Sequence, residues 1–109
     1  MKMTSDFDQL FELVTGVLVS DLRLVQTRKV TDRVFRARQF YCYACRKWTG
    51  DFNPRLIGDR IGVGRTTVRQ SSLRVRAAIR AYDPDPFADN GSLPKCWVDW
   101  AKRFKVLVR

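Results

Sequence analysis

The chain has 109 residues, 45% of them hydrophobic, and a formal net charge of +10. That length fits one domain with a modest core. With no histidine, only three cysteines and no apolar run near ~18 residues, the sequence excludes histidine acid–base chemistry, an extracellular disulfide framework and a membrane-spanning helix.

Ser5-Asp6-Phe7-Asp8 opens a first helix, with Ser5 as N-cap and Asp8 three residues on. Phe7, Leu10, Phe11, Val14 and Leu18 supply its apolar face, and Gly16 ends it. Short and acidic, this helix belongs to the core and not to a polyanion contact. Val17-Leu18-Val19 reads as an extended connection, and Ser20-Asp21 caps a second short helix from Leu22 to about Val25. Gln26 to Asp32 has no clear period and reads as a loop carrying Arg28 and Lys29.

A longer helix is expected from Thr31 or Asp32 to about Thr49. Val34, Phe35, Ala37, Arg38, Tyr41, Cys42, Cys45 and Trp48 form its apolar face, leaving Arg33, Arg36 and Arg46 outside. Cys42-x-x-Cys45 lacks the further cysteine or histidine ligands that zinc needs, so both thiols read as small buried side chains. Thr49-Gly50-Asp51 is a turn, after which Asn53-Pro54 restarts the chain as N-cap and first-turn proline.

From Pro54 to Tyr82 two helices flank a glycine turn, Gly62-Val63-Gly64, where positive φ costs little. Leu56, Ile57 and Ile61 are the apolar positions of the first helix. Val68, Ser72, Val75, Ile79 and Tyr82 form the inner stripe of the second, opposite Arg65, Thr66, Arg69, Gln70, Arg76 and Arg80. A short helix, a tight turn and a basic helix opening Arg-Thr-Thr make a helix-turn-helix, whose second helix enters the major groove of DNA by its first turn. The charge supports this. Residues 1–22 carry one lysine against four carboxylates, residues 23–80 fifteen cations against three carboxylates, and residues 81–109 five against four. The basic charge therefore sits on and just before the motif, as a phosphate-binding surface requires. A P-loop does not fit the same stretch: its first glycine is replaced by Asp59, its lysine by Arg65, and a helix precedes it.

From Phe7 to Tyr82 the chain resembles the C-terminal DNA-binding domain (domain IV) of the bacterial replication initiator DnaA, a Trp-repressor-like helical fold. Four pieces carry the likeness: Gly16-Val17-Leu18-Val19-Ser20-Asp21-Leu22, Arg36-Ala37-Arg38-Gln39 with the helix ending Arg46-Lys47-Trp48-Thr49, Ile57-Gly58-x-x-Ile61-Gly62, and Thr66-Thr67-Val68. The initiator's ATPase portion is absent. The turn is one residue shorter than in the family, and the family's aspartate and histidine are missing, with Arg65 in the histidine's place. The resemblance thus implies the fold and the docking mode but a different DNA sequence.

It implies that Thr66 and Thr67 meet bases or phosphates, that Arg46 meets phosphate, and that Arg36 and the Arg28–Lys29 loop belong to the same surface. Helical spacing adds Arg69 and Gln70, and Arg65 can read guanine. Pro54 and Arg55 open the first motif helix, whose start can hold a phosphate. The expected fold is all-α: a compact helical bundle with a helix-turn-helix over residues 1–82, a Pro/Asp/Gly linker over 83–92, and a C-terminal amphipathic helix over 93–109. In that last helix Trp97, Trp100, Ala101, Phe104 and Val108 make the stripe. It either completes the core or offers Trp97, Trp100 and Phe104 to a partner or a second copy.

The expected function is sequence-specific binding of double-stranded DNA by a cytoplasmic, nucleoid-associated bacterial or phage transcriptional regulator, with no catalysis, metal, cofactor or membrane contact. A replication-control factor at origin sites is the alternative. A structural or adaptor protein, whose basic face meets an acidic protein or RNA, is the reading from another class. The expected partners are double-stranded DNA and, beside it, a second copy in a homodimer or a transcription or replication protein.

Overall fold

A computed structural model describes residues 5–23, 32–49, 53–82 and 95–108. The loop with Arg28 and Lys29 and the 83–92 linker lie outside the described residues. Within them the chain is all-α: α1 Ser5–Thr15, α2 Val19–Leu22, α3 Asp32–Ala44, a π-helical turn Cys45–Thr49, α4 Pro54–Ile61, α5 Arg65–Tyr82 and α6 Lys95–Val108.

α1 buries Phe7, Phe11 and Val14 on one face, as a helical apolar period requires. Gly16 ends it in the left-handed region, at φ 73, and donates its N–H to the Glu12 carbonyl at 2.8 Å. Two predicted features of the next stretch are corrected. Leu18 is exposed and caps α2 in an extended conformation, and α2 begins at Val19 rather than at Leu22. The missing cap comes from α1: the Glu12 carboxylate accepts the Val19 N–H at 2.9 Å. A carboxylate at a helix start satisfies an orphan donor and complements the dipole.

α3 is the central helix. Ala37, Phe40, Tyr41, Cys42 and Ala44 are buried along it, because α2, α4, α5 and α6 all pack on it. Phe40, which the single-face reading leaves out, is fully buried and meets the rings of Phe11, Trp48, Trp100 and Phe104 at 5.3–6.5 Å between centroids. Phe35, placed on the inner face by its period, is instead half exposed at the edge of a cleft between α3 and α5.

α6 closes this cluster. Trp97, Trp100 and Phe104 are 3%, 6% and 0% exposed, so these side chains are not available as a partner surface. They complete the core: Phe104 stacks on Trp48 at 4.7 Å and packs on Phe7 at 5.6 Å, and the Trp97 Nε1–H donates to the Arg36 carbonyl at 3.2 Å. An apolar stripe this size finds its cover within the chain when a small domain is short of core. Val108, expected in the stripe, is partly exposed, and Val98 is buried in its stead.

Arginines hold the ends together. Arg33 donates to the Thr15 carbonyl at 2.8 Å and Arg103 to the Val14 carbonyl, so two distant guanidiniums satisfy the C-terminal carbonyls of α1. Arg38 donates to the Leu22 carbonyl at 3.1 Å. Asp8 accepts from the Tyr41 hydroxyl at 2.9 Å and from Arg60 at 2.7 Å, and Arg60 also reaches the Tyr41 oxygen at 3.1 Å. This triad ties α1, α3 and α4 together and so fixes where α4 presents the helix that follows it. The cysteines are free thiols. Burial pushes the Cys42 thiol up to about 12 and the Cys45 thiol well above its usual value, the state of inert packing groups rather than redox centres.

Candidate nucleic-acid interface

α4, the turn and α5 pack as one unit around two glycines. Gly62 has φ 76 and donates to the Gly58 carbonyl at 2.7 Å, as does the Val63 N–H at 3.0 Å. A Cβ on Gly58 would overlap the Val63 carbonyl oxygen. Only glycine permits that approach, so both residues are dictated by the turn. Arg23 bridges from α2, donating to the Asp59 carbonyl with its stem against Gly62.

The two helix starts differ. At α4, Pro54 has no N–H, the Asn53 side chain accepts from the Arg55 and Leu56 amides at 3.1 and 3.3 Å, and the Ile57 N–H bonds the Asn53 carbonyl at 3.0 Å. Every first-turn amide is occupied. The expectation that Pro54 and Arg55 offer helix-start amides to a phosphate is therefore corrected, and the exposed Arg55 side chain is what remains there. At α5, Gly64 stands at the cap with nothing within 4 Å of a Cβ built on it. The first helical bond runs from Val68 to the Gly64 carbonyl at 3.1 Å. Gly64 brings no side chain to cap the first amides of α5, which carry the helix's partial positive charge.

α5 carries five arginines and no carboxylate. Val68, Ser71, Ser72, Val75 and Ala78 are buried against the bundle. Arg65, Thr66, Thr67, Arg69 and Gln70 are all exposed. At 100° per residue the outer face has two edges. Arg65, Arg69, Arg76 and Arg80 line one edge; Thr67, Gln70 and Arg74 line the other, across a cleft from Phe35, Arg38 and Gln39.

The remaining expected residues separate. Arg46, exposed in the π-helical turn, lies not at the start of α5 but beside its other half, in a cleft with Arg76 and Arg80. Those two arginines are about 16 and 22 Å along the helix from Arg65 at 1.5 Å per residue. Arg36 leaves the group: it is half-buried on the α6 side of α3, its carbonyl bonded to Trp97 and its guanidinium charge acting on the Cys96 thiol. Arg28 and Lys29 are outside the described residues. Sequence reasoning missed Arg74, one turn beyond Gln70, and Lys47, the neighbour of Arg46; helical spacing and adjacency would have found both. Among the described residues no group of His, Cys, Asp and Glu could hold a metal ion, and no helix is long and apolar enough to cross a membrane. No protein-family model matches the chain, and no curated protein or solved structure does either.

Proposed function

We propose that the chain binds double-stranded DNA sequence-specifically as a helix-turn-helix protein, with α5 as its reading helix, and acts as a small bacterial or phage transcriptional regulator. The observation that carries this is the start of α5: a glycine cap with open space beside it, and five polar side chains, Arg65, Thr66, Thr67, Arg69 and Gln70, all exposed with no acid among them. The side-chain types suit both tasks. Arginine pairs two ways with guanine and glutamine with adenine, while threonine hydroxyls and helix-start amides hold phosphates. α4 is closed by its own cap and serves as the support that sets α5 in place.

Selection from a random duplex pool at near-physiological salt tests this reading. A sharp enriched motif is expected, its symmetry giving the number of copies bound. Its location in a host genome, at promoters or at an origin, separates transcriptional from replication control. Absence of enrichment would overturn sequence-specific binding.

A further inference from the structure

The cleft beside the C-terminal half of α5 takes no part in groove reading by the first turn, yet it is the most cationic recess among the described clefts. It encloses about 280 Å³ between Tyr43, Arg46, Lys47, Arg76, Ile79 and Arg80. Four of these six side chains are cations and none is an acid. Neither Arg76 nor Arg80 forms an ion pair or hydrogen bond among the described residues. Their charges act on the half-buried Tyr43 hydroxyl, countering the upward push of burial on it, which places both guanidiniums around one aromatic wall. The arginines that stabilise the fold, Arg33, Arg38, Arg60 and Arg103, each meet a carbonyl or a carboxylate; Arg76 and Arg80 meet none among the described residues. Four cations gathered around one recess, with no acid in its lining, attract anions from outside.

We infer that this cleft seats phosphates of one strand of the duplex, and that α5 therefore lies along the groove instead of entering it end-on. The inference rests on the duplex-binding reading above. Arg65, Arg69, Arg76 and Arg80 share one edge of α5, so the row leads from the reading end into the cleft, with Ser72 and Leu73 standing between its two pairs. The geometry decides the orientation. The major groove is roughly 8.5 Å deep, so a helix inserted end-on would hold Arg76 and Arg80, about 16 and 22 Å from Arg65, clear of the phosphates. Laid lengthwise, the same row spans roughly six base-pair steps of about 3.4 Å, so the Arg76 and Arg80 end can meet a backbone while Arg65 stays at the base edges.

The test is fluorescence anisotropy of the full chain with a labelled 20-base-pair duplex carrying the selected site, and with a scrambled duplex, from 50 to 200 mM NaCl. Arg76→Ala/Arg80→Ala should flatten the slope of log affinity against log salt by about two. The affinity lost across that salt range then shrinks about tenfold, and the preference for the selected site is retained. Arg76→Lys/Arg80→Lys should keep the steep slope. Circular dichroism should show unchanged helix content in both variants, since all four substitutions are at exposed positions. If the unaltered protein prefers the selected site and the alanine variant keeps its slope, the cleft assignment fails while the function stands. If the unaltered protein binds no duplex, both fail.

Discussion

The half of the molecule built on Phe40 and the outer face of α5 use the same cation in opposite ways. Around Phe40, arginine is a structural bond: Arg33 and Arg103 take up the last carbonyls of α1, Arg38 that of Leu22, and Arg60 the Asp8 carboxylate. On α5, Arg65, Arg69, Arg74, Arg76 and Arg80 project from a helix without a single carboxylate. The difference teaches that net charge is a poor guide to an interface until each cation's partner is known. Among the described cations, the informative ones are those, such as Arg76 and Arg80, for which no partner is found among the described residues. A guanidinium committed to a buried carbonyl cannot be withdrawn without cost to stability, whereas an uncommitted one can be removed almost freely.

The comparison can be broken hardest at Phe40. Phe40→Ala opens a cavity among Phe11, Trp48, Trp100 and Phe104 and should cost about 3–5 kcal/mol in urea unfolding; a loss under about 1 kcal/mol would mean that the aromatic cluster is not packed as described. A smaller break is expected at the structural arginines. Arg60→Ala should lower stability by about 1–2 kcal/mol, discounted because Arg60 is about a third exposed. Paired with Tyr41→Phe in a double-mutant cycle it should show coupling, and strict additivity would dissolve the triad.

Arg65→Ala sharpens the contrast. Its thermal stability should stay within about 0.5 kcal/mol of the parent, while discrimination between the selected and a scrambled duplex falls by ~1–3 kcal/mol. Equal weakening on both duplexes would make Arg65 a phosphate contact. The smallest effect lies on the buried side of the same helix. The Ser72 hydroxyl is buried without a hydrogen-bond partner among the described residues. Ser72→Ala should therefore raise the melting temperature slightly, by up to about 1 kcal/mol in stability, and leave duplex binding alone. A destabilised variant would point to a partner for that hydroxyl.

Much was legible in local chemistry. Glycine has few equals where φ is positive, so Gly16 and Gly62 marked the end of α1 and the turn before α5. Asn53-Pro54 announced α4 because cap and first-turn proline act within one turn of the chain. The stripe of α5 followed from its period: Val68, Ser72 and Val75 point inward and Arg65, Arg69 and Arg76 outward.

What the chain's order could not carry was decided by contacts between distant residues. Phe40 is core because helices close around α3 on several sides, and a one-face period cannot report that. Leu18 lost its place inside because the Glu12 carboxylate started α2 early. The aromatic stripe of α6 could be read as core or as docking surface; its burial, with Trp100 on Phe40 and Phe104 on Phe7 and Trp48, settled it. Likewise, Arg36 and Arg46 are indistinguishable from each other by type and neighbourhood. The packing of α6 on one side of α3 and of α5 on another sent the first toward Trp97 and the second to the cleft with Arg76 and Arg80. Local sequence thus determined the helices, their ends and the polarity of their faces, since those depend on interactions within a few residues. Which apolar face found cover, and which charges were drawn into bonds with distant carbonyls and carboxylates, depended on surfaces meeting across the chain, and only the tertiary structure decided them.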